Sequence, residues 1–183
     1  MEKVVYPYVL IVKNKIDEEQ IKSELLQVVE EAVNNLIEMR KNEGNKISTD
    51  ILGKITQIEE KNEEIFALST GLINEYVVKL ETRIKELLQT EELDKSRLMQ
   101  EIVIYADKCS VEEVTRLRSH ISQLRELIGS NEPTGKKMDF LIQEMNRETN
   151  TIGSKANNLE ITNKVVDIKT ILEDIREQVQ NIE

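Results

Sequence analysis

The chain has 183 residues, of which 33% are charged, 39% hydrophobic and 3% aromatic, and its formal net charge is -10. Six Gly, two Pro and no Trp disfavour sheets, which draw on aromatic and β-branched residues and on Gly/Pro turns, and favour long helices. The longest apolar runs fall far short of about 18 residues, which excludes a membrane-spanning helix. The single Cys109 excludes an internal disulfide. Without a basic-then-apolar opening, a reducing cytoplasm is the expected compartment.

In chain order, residues 4–12 are the one β-like run, and Pro7 demotes it to an edge strand or arm. An extended arm that reads as the tail of something else is expected over 1–16. A scaffold of helical hairpins is expected over 17–92. Its first helix starts at Asp17, carries Ile21, Leu25, Val28, Val29, Val33, Leu36 and Ile37 as one stripe, and stops at Gly44. A second follows with Ile51, Ile55, Ile58 and Ile65, and a third begins after Gly71.

A helical bundle is expected over 93–183. One helix spans about Asp94 to Lys108, and the next opens with the capping box Ser110-Val-Glu-Glu. Gly129–Gly135 reads as a loop, and another helix runs from about Lys136 to Ile152 before Gly153-Ser154. In the last helix Ile161, Val165, Ile168, Leu172, Ile175, Val179 and Ile182 alternate steps of 4 and 3, a heptad seam. The fold class is therefore all-α: long antiparallel hairpins plus a helical bundle, with a short β-like N-terminal arm.

The acidic net charge argues against nonspecific nucleic-acid binding. Residues 111–164, however, hold eight Lys/Arg and eight Asp/Glu, so this segment is neutral within an acidic chain. Within it Asp139, Gln143, Asn146 and Asn150 share a helical stripe, and Glu144, Arg147, Glu148 and Thr151 form its neighbour. Ser154, Lys155 and Asn157 follow. Asn, Ser and Thr are weaker helix formers than the Glu and Lys used elsewhere. Such a cluster suits either specific hydrogen bonding to a ligand or a polar helix–helix interface capped at Ser154 and Asn157.

His120, the only histidine, shares a face with Glu113 and Arg116. It can bind a metal, move protons or stand as a surface group. Glu144 and Glu148, one turn apart, can hold Mg²⁺ or Mn²⁺ or form a solvated face beside Arg147. Cys109 precedes a helix start, where a thiol is acidified, but also reads as a small buried hydrophobe. No phosphate-binding glycine loop, Cys-x-x-Cys pair or His-Glu-x-x-His motif is present. The context of a histidine phosphorelay is missing as well.

Thr115–Arg125, Gly135–Asn157, Ile175–Glu183 and Glu38–Gly44 together resemble the C-terminal region of the YicC/YloC-like endoribonucleases. The resemblance covers about residues 9–183, whereas family members are longer and open with a mixed α/β domain. It implies a bacterial, cytoplasmic, hexameric endoribonuclease that needs a divalent metal, and the expected reaction is cleavage of single-stranded RNA with Mn or Mg as that metal. The resemblance does not say which matched residues do chemistry; from their own chemistry His120, Glu144 and Glu148 are the expected catalytic residues, and these three with Asp139 the expected metal ligands. Arg116, Ser119, Gln143, Asn146, Arg147, Asn150, Ser154, Lys155 and Asn157 are the expected RNA contacts. Asn158 stands where members often have Asp, and Thr149 where an aliphatic residue is common. The alternative is a non-catalytic RNA-binding and oligomerisation module. The scarcity of aromatics points to recognition through RNA backbone and 2′-hydroxyls rather than stacked bases.

Overall fold

A computed structural model describes residues 18–88, 95–130 and 134–180, and all its regular elements are α-helices. They are α1 (Glu18–Leu88), α2 (Lys95–Ala106), α3 (Val111–Ile128), α4 (Gly135–Lys155) and α5 (Leu159–Gln180). The β-like run at 4–12 lies outside the described residues.

The expected hairpins of residues 17–92 are replaced by one helix of 71 residues. Gly44 and Gly71 do not end it. A glycine costs a helix interior about 1 kcal/mol, but it stops a helix only where the chain turns left-handed and the apolar period ends. Here no Pro follows and helical spacing resumes on both sides, so the turns continue.

The chain divides into two units, Met1–Glu43 and Gly44–Glu183. In the first, every described residue is exposed. Its stripe of Ile21, Leu25, Leu26, Val28, Val29, Val33, Leu36, Ile37 and Met39 is 46% to 63% exposed.

The second unit is built on a four-helix core. Ile51, Ile55, Ile58 and Ile65 of α1 are buried with Val114, Leu117, Ile121 and Leu124 of α3. Met138, Leu141, Ile142, Met145 and Ile152 come from α4. The α5 seam is buried as its spacing requires, from Ile161 to Val179. Along α1 the buried positions 51, 55, 58, 62, 65 and 69 also alternate steps of 4 and 3, with Asn62 and Ser69 among the isoleucines. Asn62 Nδ2 donates to the Val114 carbonyl at 3.0 Å, and its buried Oδ1 has no partner among the described residues.

Cross-helix pairs give the directions. Asp50–Gln178, Lys54–Asp174, Lys61–Asp167 and Glu64–Lys164 run oppositely along α1 and α5, so these helices are antiparallel. Glu59–Arg125 and Glu63–Arg118 make α1 and α3 antiparallel too. Close on the other side of the core, α4 packs against both α3 and α5.

Candidate functional site

Most of the polar residues singled out by sequence fall along the two edges of α4, whereas Ser119 and Arg147 face solvent. On the α3 edge, Lys155 Nζ lies 2.7 Å from Glu113 Oε1 and donates to the Asp107 carbonyl at 2.9 Å. Two turns back along α4, Glu148 Oε1 lies 3.7 Å from Arg116 Nη1, and Arg116 also binds Glu112. The Glu113 and Glu148 side chains are only 8% and 10% exposed. Each buried carboxylate thus faces a cation that reaches solvent. One turn beyond Arg116 on α3 stands His120, half-buried, with a buried Nδ1 that has no partner among the described residues.

Local sequence explains this layout. On α3 the residues 113, 116 and 120 repeat by 3 and 4, just off the apolar set 114, 117, 121 and 124, so they line the rim of the core. On α4 the residues 148 and 155 are one heptad apart and meet that rim from the opposite helix. The expected capping box is not formed: Ser110 makes no side-chain cap bond, and Glu113 turns to Lys155 instead. A charged partner across the interface outcompetes a backbone N–H that solvent can serve. Glu113 is the member of the site that sequence left aside, although its shared face with Arg116 and His120 was the available signal.

The α5 edge holds the other stripe. Asp139 lies 3.4 Å from Arg176 Nε and accepts from Gln143 at 2.7 Å. Asn146 is half-buried beside them, and Asn150 is exposed. Ser119 accepts from Gln123, Ser154 donates to the Thr151 carbonyl, and Arg147 and Asn157 are exposed. Asn158, not Asn157, caps α5, its Oδ1 accepting from Glu160 N–H at 2.7 Å. Asp would cap a helix equally well, which gives that position a structural role. Thr149 is buried and donates to the Met145 carbonyl at 2.7 Å.

His120, Asp139, Glu144 and Glu148 are therefore not gathered at one point. Asp139 belongs to the α5 edge, and Glu148 faces a guanidinium. Among the described residues no group of three or more His, Cys, Asp or Glu side chains could hold a metal ion. The donor set does not fit a ready-made metal cage.

Electrostatics follow the contacts. The hydrogen bond and charge of Glu112, then the charge of Glu148, push the Arg116 guanidinium further above its ordinary value, so it stays cationic. Burial pushes the Cys109 thiol up, against the pull of Tyr105 and Lys155, so the helix start does not acidify it. Burial also pushes Tyr105 up, and its ring stacks on Tyr76 with centroids 3.8 Å apart.

The family model "Endoribonuclease YicC-like, C-terminal" matches residues 65–183, which contain both edges of α4. The chain belongs to the YicC-like family. A protein of Clostridioides difficile (strain 630) called "Probable endoribonuclease YicC" is 49% identical over 177 residues, 96% of this chain and 60% of that relative. A protein of the same name from Haemophilus influenzae is 30% identical over 179 residues, 97% of this chain and 61% of its own length. The chain thus spans about three-fifths of these YicC relatives. Among its described residues no helix is long and apolar enough to cross a membrane.

Proposed function

We propose that this chain supplies the RNA-facing part of an endoribonuclease that cleaves phosphodiester bonds of single-stranded RNA. The observation that carries this reading is the α3–α4 rim, where Arg116 and Lys155 reach solvent above buried Glu148 and Glu113. The rim lies within the stretch matched to the YicC-like family, and the relatives' name supplies the reaction class.

The chemistry expected of each group is specific. Arg116 offers a planar donor fork to a phosphate and stabilises the extra negative charge of the pentacovalent transition state. Lys155 adds a point charge. Glu148 and Glu113 hold these cations in place, so little reorganisation is needed when substrate arrives. His120 moves a proton through Nε2, since Nδ1 is turned into the protein. Glu144, half-buried one turn from Glu148, is the second carboxylate at the rim. Asn146, Asn150 and Asn157, with Gln143, Ser119 and Ser154, present donors and acceptors to ribose and bases, and Arg147 adds a phosphate contact. Manganese or magnesium belongs to this proposal as an ion brought in on RNA phosphates. A cytoplasmic homo-oligomer, hexameric by resemblance, completes it.

The test is a gel assay with labelled single-stranded RNA of about 26 nucleotides, longer than a single-strand site, in Mn²⁺, Mg²⁺ or EDTA. Cleavage lost in both His120→Ala and Glu144→Gln supports the reading. Cleavage retained by both variants removes these residues from the reaction.

A second reading has its own support. The exposed apolar stripe of residues 21–39 is the kind of surface that assembles, as a binding and oligomerisation module requires. RNA retention without turnover in the same assay favours it.

A further inference from the structure

Between its two edges, α4 turns a third stripe to solvent, of which the reading above draws on Arg147 and Glu144 but not on Lys136, Lys137 or Phe140. Lys136, Phe140 and Arg147 lie nearly in line on the helix, with Lys137 and Glu144 beside them. Phe140 is 61% exposed. The other described aromatic rings are covered: Arg118 lies 5.2 Å from the Phe66 ring centre, and Tyr76 and Tyr105 cover each other. Among the described residues, neither a ring nor a guanidinium lies over Phe140.

The cations around it are equally unusual. On α1, α3 and α5 most lysines and arginines of the bundle are tied to carboxylates, among them Lys54, Lys61, Arg118, Arg125, Lys164 and Arg176. Lys136, Lys137 and Arg147 are exposed and make no ion pair or hydrogen bond from their side chains among the described residues. In a chain of net charge -10, this stripe sets three unpaired cations against the single carboxylate of Glu144.

We infer that Phe140 is a stacking platform for a nucleobase of single-stranded RNA, with Lys136, Lys137 and Arg147 holding the phosphates on either side. The inference rests on the RNA-binding reading above and adds the mode of recognition. Lys136 and Arg147 are about 16 Å apart along the helix, which suits a run of a few nucleotides. A base has an apolar face for the ring, and its backbone carries the charge the cations lack. A second copy of the chain fits worse, because a two-fold contact through this stripe would set lysines against arginine. Sequence alone pointed away from stacking because aromatics are few; one exposed ring between cations is enough.

The experiment uses the chain with Phe140→Trp, since it has no other tryptophan. Indole emission is followed during titration with single-stranded RNA and with the same strand made abasic. The expected result is quenching by the base-bearing strand and not by the abasic one. Phe140→Ala, at an exposed position and so without effect on melting, is expected to bind the base-bearing strand roughly five- to a hundredfold more weakly and the abasic strand unchanged. If the unaltered chain binds RNA while the indole stays unquenched and Phe140→Ala binds equally well, the platform is wrong and the RNA reading stands. No binding by the unaltered chain at low salt overturns both. A change in sedimentation of Phe140→Ala with RNA binding intact assigns the stripe to self-association and overturns the platform.

Discussion

The two sides of the bundle are held by different means. Where α1 meets α3 and α5, the interior is a heptad seam and the flanking charges are exposed pairs such as Lys61–Asp167 at 2.7 Å. Where α3 meets α4, the charges move inward: Glu113 and Glu148 are nearly buried, and Glu113 Oε2 and His120 Nδ1 lack partners among the described residues. Exposed pairs contribute at most about 1 kcal/mol each, so the α1 side relies on its isoleucines. Buried carboxylates cost desolvation energy that pairing only roughly offsets. Stability alone would favour apolar side chains at these positions, as it would at the buried Asn62 of α1, whose Oδ1 also lacks a partner among the described residues.

Removing a cation should separate the two sides most strongly. Lys155→Ala leaves Glu113 buried beside a lost partner and is expected to destabilise the bundle by about 3 kcal/mol. Lys61→Ala, on the α1 side, should cost at most about 1 kcal/mol. Urea unfolding of both variants measures the contrast, and equal losses would erase the distinction.

Glycine substitutions sharpen it at a smaller scale. A Cβ on Gly53 of α1 meets nothing within 4 Å, so Gly53→Ala should stabilise by about 0.5–1 kcal/mol. A Cβ on Gly153 of α4 would stand 3.0 Å from Val165 Cγ1, so Gly153→Ala should lose that gain to crowding. Making Gly153→Ala in a Val165→Ala background should recover it, with melting temperature as the readout.

The smallest effect lies in the acid limb of the α1 side. Lys164 holds Glu64 below the ordinary glutamate value, and Gln178 and then Lys54 hold Asp50 below the aspartate one. A carboxylate with a lowered folded pKa stabilises above its unfolded pKa, and that contribution fades as pH falls through the folded value. Stability should therefore drop below about pH 4. Glu64→Gln should shrink the difference between urea midpoints measured at about pH 6 and about pH 3. An unchanged difference would place the acid sensitivity elsewhere.

Much of this was written in the chain itself. The aromatic-poor, Glu/Lys-rich composition and the unbroken 4-and-3 steps of α5 dictate helices with one apolar seam, because helical periodicity is a local property. The family pattern in Gly135–Asn157 likewise stands in the residues alone. Tertiary structure decided the rest. Gly44 and Gly71 read as breaks, yet helical spacing resumes on both sides of each, so the expected hairpins became one α1. Whether Glu113 caps its own helix or pairs with Lys155 depends on a residue 42 positions away. The fourfold set His120, Asp139, Glu144 and Glu148 was split for the same reason: neighbours on one helix face different partners once α3 and α5 are packed on either side of α4. Spacing along a chain fixes which side chains share a helix, and only packing fixes what stands opposite them.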